Sequence, residues 1–250
     1  MGKADLHIHS TASDGLASVP EILEHVEAHT DLDLIAIADH DMLEGSLEAR
    51  ELAAHKTYRF QVMVGVEITT LEGHLLAYDI EKPIRMLQPL ARTIERVAAQ
   101  GGFCVIPHPM SWLTRSLGQR GIRRLLSDPH LRAVVWGIEV FNPSLAGRVT
   151  YRKAMALNRR EFGLGEFAGS DAHLWEHIGR SYTVFPGRNA DDFRRALREG
   201  TTEAQGELLG WAEHRQMLSS AGEQLWRSLV LLPRKHIRRA LRGLTSRQGR

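Results

Sequence analysis

The chain has 250 residues, 43% hydrophobic and 25% charged, with a formal net charge of +2, which is ordinary for a soluble enzyme and long enough to bury a sizeable core as one α/β domain. A single cysteine, Cys104, excludes an internal disulfide and suits a reducing, cytoplasmic setting. No apolar run approaches the roughly 20 residues of a membrane span, which excludes integral membrane association.

Short apolar runs predict strands over 4–9, 34–38, 62–67, 74–80, 103–106, 134–141, 165–169 and 182–185. Helical patterns fill most of the gaps. The first, over 19–27, has Ser18 as its N-cap and Pro20 in its first turn, where the missing N–H costs nothing. Others cover 45–55, 89–100 (closed by Gly101 and Gly102), 121–126, 144–161 and 190–199. Strand and helix alternate, which predicts a mostly parallel sheet. The link between Glu67 and His74 is too short for a helical crossover, so a hairpin or a distorted pairing is expected there. The start, MGKADLHIH, carries functional candidates within ten residues and is not expected to be a removable signal peptide. Leu6 stands where a myristoylation motif wants Ser or Thr.

Six histidines and three acids fall at the ends of these apolar runs. They are His7 and His9 in DLHIHS, Asp14 in TASDG, His40 in IADHD, Glu67 in VGVEIT, His74 in EGHLLAY, His108 in VIPHP, and Asp171 and His173 in GSDAH. Loops at the ends of parallel strands gather into one mouth, so these residues are expected to converge. Residues two apart on a strand share a face about 6–7 Å apart, which lets His7 and His9, or Asp171 and His173, close on one cation. Asp14 follows a Ser/Thr/Gly turn and reaches in from a loop. Taken singly, any of them is more often a hydrogen-bonded structural residue; nine in this arrangement point to metal ions.

The chain resembles the PHP (polymerase and histidinol phosphatase) family of metal-dependent phosphoesterases. The likeness is carried by the opening HxH of His7 and His9 with Asp14, then His40, Glu67, His74, His108 and the closing DxH of Asp171 and His173, and it runs from about residue 4 to about residue 186. The resemblance implies an irregular seven-stranded β/α barrel over residues 1–202. It also implies one ion held by His7, His9, Glu67 and Asp171, a second shared through Glu67 with His74 and His108, and a third held by Asp14, His40 and His173. Nine donors exceed what one ion can use, so two or three divalent ions are expected, and mixed imidazole and carboxylate ligation suits Mn, Fe or Zn better than Mg alone. Such ions lower the pKa of water from about 15.7 to roughly 7 and so supply a hydroxide nucleophile. Catalysis is then expected to rest on Glu67, Asp171 and His173.

Around these candidates, Asp39 and Asp41 flank His40 and are expected to orient its imidazole, or in the case of Asp41 to cap the turn. Arg115, Arg148 and Arg180 are expected to bind substrate phosphate, and Asn142 to face the same mouth or to stabilise the turn before Pro143. Residues 203–250 read as a helical, basic extension, docked and frayed at its end: from Arg234 onward there are seven Lys and Arg and no acid. The expected activity is hydrolysis of a phosphate ester, with a nucleotide or other small phosphorylated metabolite as substrate and a monoester preferred over a diester. The alternatives are a 5′-3′ exonuclease or oligonucleotide phosphodiesterase acting on short single strands, and a metal-binding regulatory module without turnover.

Overall fold

The computed structural model describes residues 1–208, 222–223 and 226–237. Ten strands among them form two five-stranded sheets. The first sheet runs in the order β10 (Glu203–Gly206), β9 (Ser181–Phe185), β1 (Gly2–Ile8), β2 (Leu34–Ile37), β3 (Gln61–Val62), and the second in the order β4 (Gly65–Thr69), β5 (His74–Tyr78), β6 (Phe103–Ile106), β7 (Val135–Phe141), β8 (Gly165–Ala168). Parallel pairing joins β1 to β2, β2 to β3, β6 to β7 and β7 to β8, but β1 with β9, β9 with β10 and β5 with β6 pair antiparallel, so both sheets are mixed and not mostly parallel as expected. The short link from Glu67 to His74 makes the expected hairpin: β4 and β5 pair antiparallel, with Thr69 opposite His74.

The predicted seven-stranded barrel is not formed by closed ladders. The two sheets meet instead through single bridges, Ile8 with Ala172 and His40 with Glu67. One cause is visible at residues 62–67, where a single strand was expected. Met63 N donates to Ile35 O of the first sheet, whereas Val64 O accepts from Asp79 N beside the second. Met63 and Val64 bury their side chains in different apolar clusters, so the run breaks between them and changes sheets.

The helices α1 (Val19–His29), α2 (Glu44–His55), α3 (Leu90–Ala98), α4 (Gln119–Leu126) and α5 (Pro129–Arg132) fill the crossovers. The single helix expected over 144–161 is instead α6 (Leu145–Arg148), α7 (Tyr151–Leu157) and a π-helical turn Asn158–Phe162. Gly147 explains the interruption: a Cβ there would lie 2.4 Å from the Cβ of Asn142, so the chain packs tightly and restarts at Thr150, whose hydroxyl donates to Pro109 O. Helix α8 (Ala190–Glu199) buries Phe193 and Leu197 in the cluster that also holds Ala4, Leu6, Tyr78 and Phe167. In that cluster the Tyr78 hydroxyl donates to Leu6 O, tying the second sheet to the first. Residues 203–206, expected within the helical extension, form the edge strand β10. Beyond residue 208 the extension is described only at 222–223 and 226–237, and its expected frayed end, 238–250, lies outside the described residues.

Candidate metal centre

The bridges between the sheets place the candidate donors. His7 lies in β1 and His9 just beyond it, with His9 N donating to Ala172 O and Ala172 N to His7 O, so the first HxH is laced to the last DxH. His40 follows β2 and is bridged to Glu67 in β4; His74 opens β5, which runs antiparallel and so begins at the same mouth. His108 follows β6. All nine residues come together, in overlapping groups whose donor atoms lie within 4.8 Å of one another: His9, Asp14, His40 and His173; His7, His108 and Asp171; His7, His9 and Glu67; His40, Glu67 and His74.

Glu67 sits at the middle, and its two oxygens serve different partners. Oε1 is 2.9 Å from His74 Nδ1 and 2.9 Å from His108 Nε2. Oε2 is 3.1 Å from His40 Nδ1, 3.4 Å from His7 Nε2 and 3.5 Å from His9 Nε2. Asp171 Oδ1 completes the second group, 3.3 Å from His9 Nε2 and 3.5 Å from His7 Nε2. Several of these separations are long for N–H···O bonds, but they match the roughly 3.4 Å between two ligands each about 2.1 Å from a tetrahedral ion. His9 Nδ1 and Nε2, Asp14 Oδ1 and His74 Nδ1 are buried without a hydrogen-bond partner. Buried polar atoms are rarely left so, and here they surround a common space lined by nitrogen and anionic oxygen. The residues fit divalent cations.

Charge reinforces the fit. Burial alone would raise the Glu67 carboxyl, but His40, His74 and His7 hold it well below the ordinary range. Burial is also the largest influence on Asp14 and Asp171, and the surrounding imidazoles overcome it, holding both carboxyls well below the ordinary range. His9 is lowered by burial and by His173, and His40 is pushed down to about 4 chiefly by burial. His173 is lowered by burial but raised more strongly by Asp14 and Asp171, to about 9. The backbone is strained where donors leave their strands: φ is 28° at His108, 52° at Asp171 and 55° at Asp41 next to the donor His40, conformations that cost a non-glycine residue about 1–3 kcal/mol.

The flanking candidates fare unevenly. Asp39 does not orient His40; its carboxylate accepts from the amides and hydroxyls of Ser10 and Ser13, because the loop that carries Asp14 turns directly over it. Asp41 lines the cavity, and its carboxylate accepts from Thr69 N at the end of β4, 28 residues away, a bond between strand ends and not one within its own turn. Asn142 takes the turn-stabilising alternative, its Oδ1 accepting from Ser144 N across Pro143 at 2.9 Å, while its amide donates to Glu139 Oε2 at 2.8 Å and to Asp171 Oδ2 at 3.3 Å. Arg115 lines the cavity, with its guanidinium donating to Thr70 O. Arg148, at the exposed end of α6, and Arg180, exposed in the turn closed by its own N–H to His177 O, are not among the lining residues.

Glu139 was not anticipated. It is buried in β7, with Oε1 2.9 Å from His7 Nδ1 and Oε2 accepting from His108 N at 2.6 Å, so one carboxylate fixes the ring of one donor and the backbone of another. The available signal was a lone acid in the otherwise apolar run GIEVFN. Ser144, which donates to Asp171 Oδ2 at 3.0 Å, carried none.

This donor set and fold define a metal-dependent hydrolase of the α/β class, and comparison with known proteins agrees. A family model described as PHP-associated matches residues 152–202. An uncharacterized protein of Methanocaldococcus jannaschii is 32% identical over 151 residues, spanning 56% of this chain and 81% of that protein. A 5′-3′ exoribonuclease of Salmonella typhimurium is 39% identical over 103 residues, 39% of this chain and 34% of the enzyme. A 3′,5′-nucleoside bisphosphate phosphatase of Chromobacterium violaceum is 36% identical over 85 residues, 32% of this chain and 29% of the enzyme. The chain thus spans about a third of the length of the two relatives with named activities. Among solved structures, a two-domain Bacteroides vulgatus protein containing a predicted PHP-like metal-dependent phosphoesterase superposes with a TM-score of 0.65 at 22% identity, covering 82% of this chain and 64% of that one. The chain belongs to the PHP family of metal-dependent phosphoesterases.

Proposed function

We propose that this protein is a phosphatase acting on a nucleotide or another small phosphorylated metabolite, with two or three Mn, Fe or Zn ions held by the nine donors. The observation that carries the reading is the division of Glu67, one oxygen toward His74 and His108, the other toward His7, His9 and His40. Only a carboxylate offers two anionic oxygens to two cations. When bound, the cations would activate water and neutralise charge on the phosphoryl oxygens. The protein's part is to hold His7, His108 and Asp171 in place through Glu139, Asn142 and Ser144, and to bring substrate to the donors.

The cavity supports a substrate of small-molecule size. Its volume is about 930 Å³, in the range of small-molecule sites, and Met86, Leu113, Leu145, Leu229 and Leu232 supply apolar walls above the polar floor. Arg115 at the wall is assigned to substrate phosphate. A cytoplasmic location is part of the same proposal, supported by the single, buried Cys104. No helix among the described residues is long and apolar enough to cross a membrane.

The likeness to the Salmonella exoribonuclease favours a second reading, in which the same donors cleave the terminal nucleotide of a short single strand. Metal analysis of protein purified without added ions, followed by assays of mononucleotides and of a labelled oligonucleotide with Mn²⁺, Fe²⁺ and Zn²⁺, separates the two. Phosphate release from mononucleotides is expected. Shortening of the oligonucleotide with mononucleotides untouched would select the nuclease, and protein free of bound metal in every case would end both.

A further inference from the structure

The loop that carries Asp14 is held from two sides. Below it, Asp39 takes the amides and hydroxyls of Ser10 and Ser13. Above it lies the C-terminal helix, residues 226–237, more than 210 positions away in sequence. Lys235 Nζ donates to three successive carbonyls, Thr11 O at 2.7 Å, Ala12 O at 2.9 Å and Ser13 O at 3.0 Å. Arg227 Nη1 donates to Gly15 O at 3.2 Å. Between these two anchors the Ser228 hydroxyl donates to Asp14 Oδ2 at 2.6 Å.

The local helix geometry is suited to this. Pro233 has no N–H and its ring crowds the carbonyl of Leu229, four residues back. The turn Arg227–Leu231 is π-helical, with Leu232 N donating to Arg227 O, and this wider turn accommodates the proline. Ser228 and Lys235 stand seven residues apart, two turns, and reach the same loop from one face of the helix. A merely docked basic tail would scatter its cations over surface carboxylates. Here the ammonium fills a nest of carbonyls, and the one hydroxyl on that face finds the metal-site carboxylate.

The consequence lies in the other oxygen of Asp14. With Oδ2 occupied by Ser228, Oδ1 is left buried without a hydrogen-bond partner, 3.4 Å from His173 Nε2 and in the group formed with His9 and His40. A hydrogen bond to one carboxylate oxygen fixes the plane of the group and aims the second at a cation. We propose that Ser228 and Lys235 of the C-terminal helix are positioning residues for the cation site of Asp14, His40 and His173, so that the helix is part of the metal centre and not an appendage. This rests on the cation-binding reading above.

The test counts ions and measures their affinities on the full-length protein, with Mn²⁺ and Zn²⁺ as probes, by elemental analysis and calorimetry. Asp14→Asn should remove one class of ion. Ser228→Ala and Lys235→Met should weaken the same class by about ten- to a hundredfold and leave the others unchanged, and Ser228→Thr, which keeps the hydroxyl, should restore it. Ser228→Ala deletes a single atom from a half-buried side chain, and an unchanged circular dichroism spectrum checks that it folds. Should both variants bind every ion as tightly as the parent while Asp14→Asn loses one, the helix is a tail only. Should Asp14→Asn lose none, Asp14 holds no cation and the inference falls with it. A parent protein that takes up no cation would defeat the proposed function itself, a distinct result.

Discussion

Glu67 is the residue whose loss should separate chemistry from folding. It is almost fully buried, and five imidazole nitrogens lie within 3.5 Å of its oxygens. Glu67→Gln keeps the shape and removes one anionic oxygen, so phosphate-ester hydrolysis should become undetectable while the far-ultraviolet spectrum is unchanged. Parental turnover in that variant would remove Glu67 from the centre. Glu139 acts at one remove, through the His7 ring and the His108 amide. Glu139→Gln should weaken metal binding by about ten- to a hundredfold, as loss of a partner to a metal-bound histidine does elsewhere, with less effect on substrate affinity. Titration of the stripped variant with Mn²⁺ measures the first quantity directly, and an affinity equal to that of the parent would contradict the assigned role.

At the scale of elements, the strand ends matter more than the strands. Gly169 follows β8 where the chain passes His7: a Cβ there would lie 2.5 Å from the His7 Cβ and 3.0 Å from Glu139 Oε1. Gly169→Ala must therefore displace β1 or the β7 carboxylate, and is expected to lower both the melting temperature and metal affinity. A variant as stable and as metal-competent as the parent would show that these strand ends yield without effect. The same closeness explains what the sequence disclosed. The donors were legible because each ends an apolar run, a pattern independent of how the runs are joined. The break at Met63 and Val64 was not, since an unbroken hydrophobic stretch gives no sign that its two halves pack in different clusters. Nor was the division of 144–161, which depends on Gly147 meeting Asn142. Asp39 looked like a partner for its neighbour His40, but adjacency along a chain leaving a strand places successive side chains on opposite sides. Its partners, Ser10 and Ser13, come from another strand's loop and could not be read from the local sequence.

For the molecule as a whole, the two sheets meet at single bridges, and both bridges are made by residues in or beside the donor cluster. Cations bound there would hold the sheets together as well as serve chemistry, so their removal should be felt as stability. A ligand present at 100 times its dissociation constant stabilises the folded state by about 2.7 kcal/mol. For a chain of this size that corresponds to roughly 5–10 °C in melting temperature. The pH dependence has a definite sign. His173, raised to about 9 when no cation is present, contributes stability to the metal-free protein below its unfolded pKa of about 6.5, and that contribution is lost as pH rises through 9. A cation must displace this proton, so its own contribution runs the other way, small in acid and growing toward pH 9. The difference in melting temperature between Mn²⁺-loaded and chelator-treated protein should therefore widen steadily from pH 5 to pH 8. Scanning calorimetry of the two forms across that range measures it, and a constant difference would mean that the cations do not compete with protons for these imidazoles, which contradicts the ligand set from which the activity is inferred.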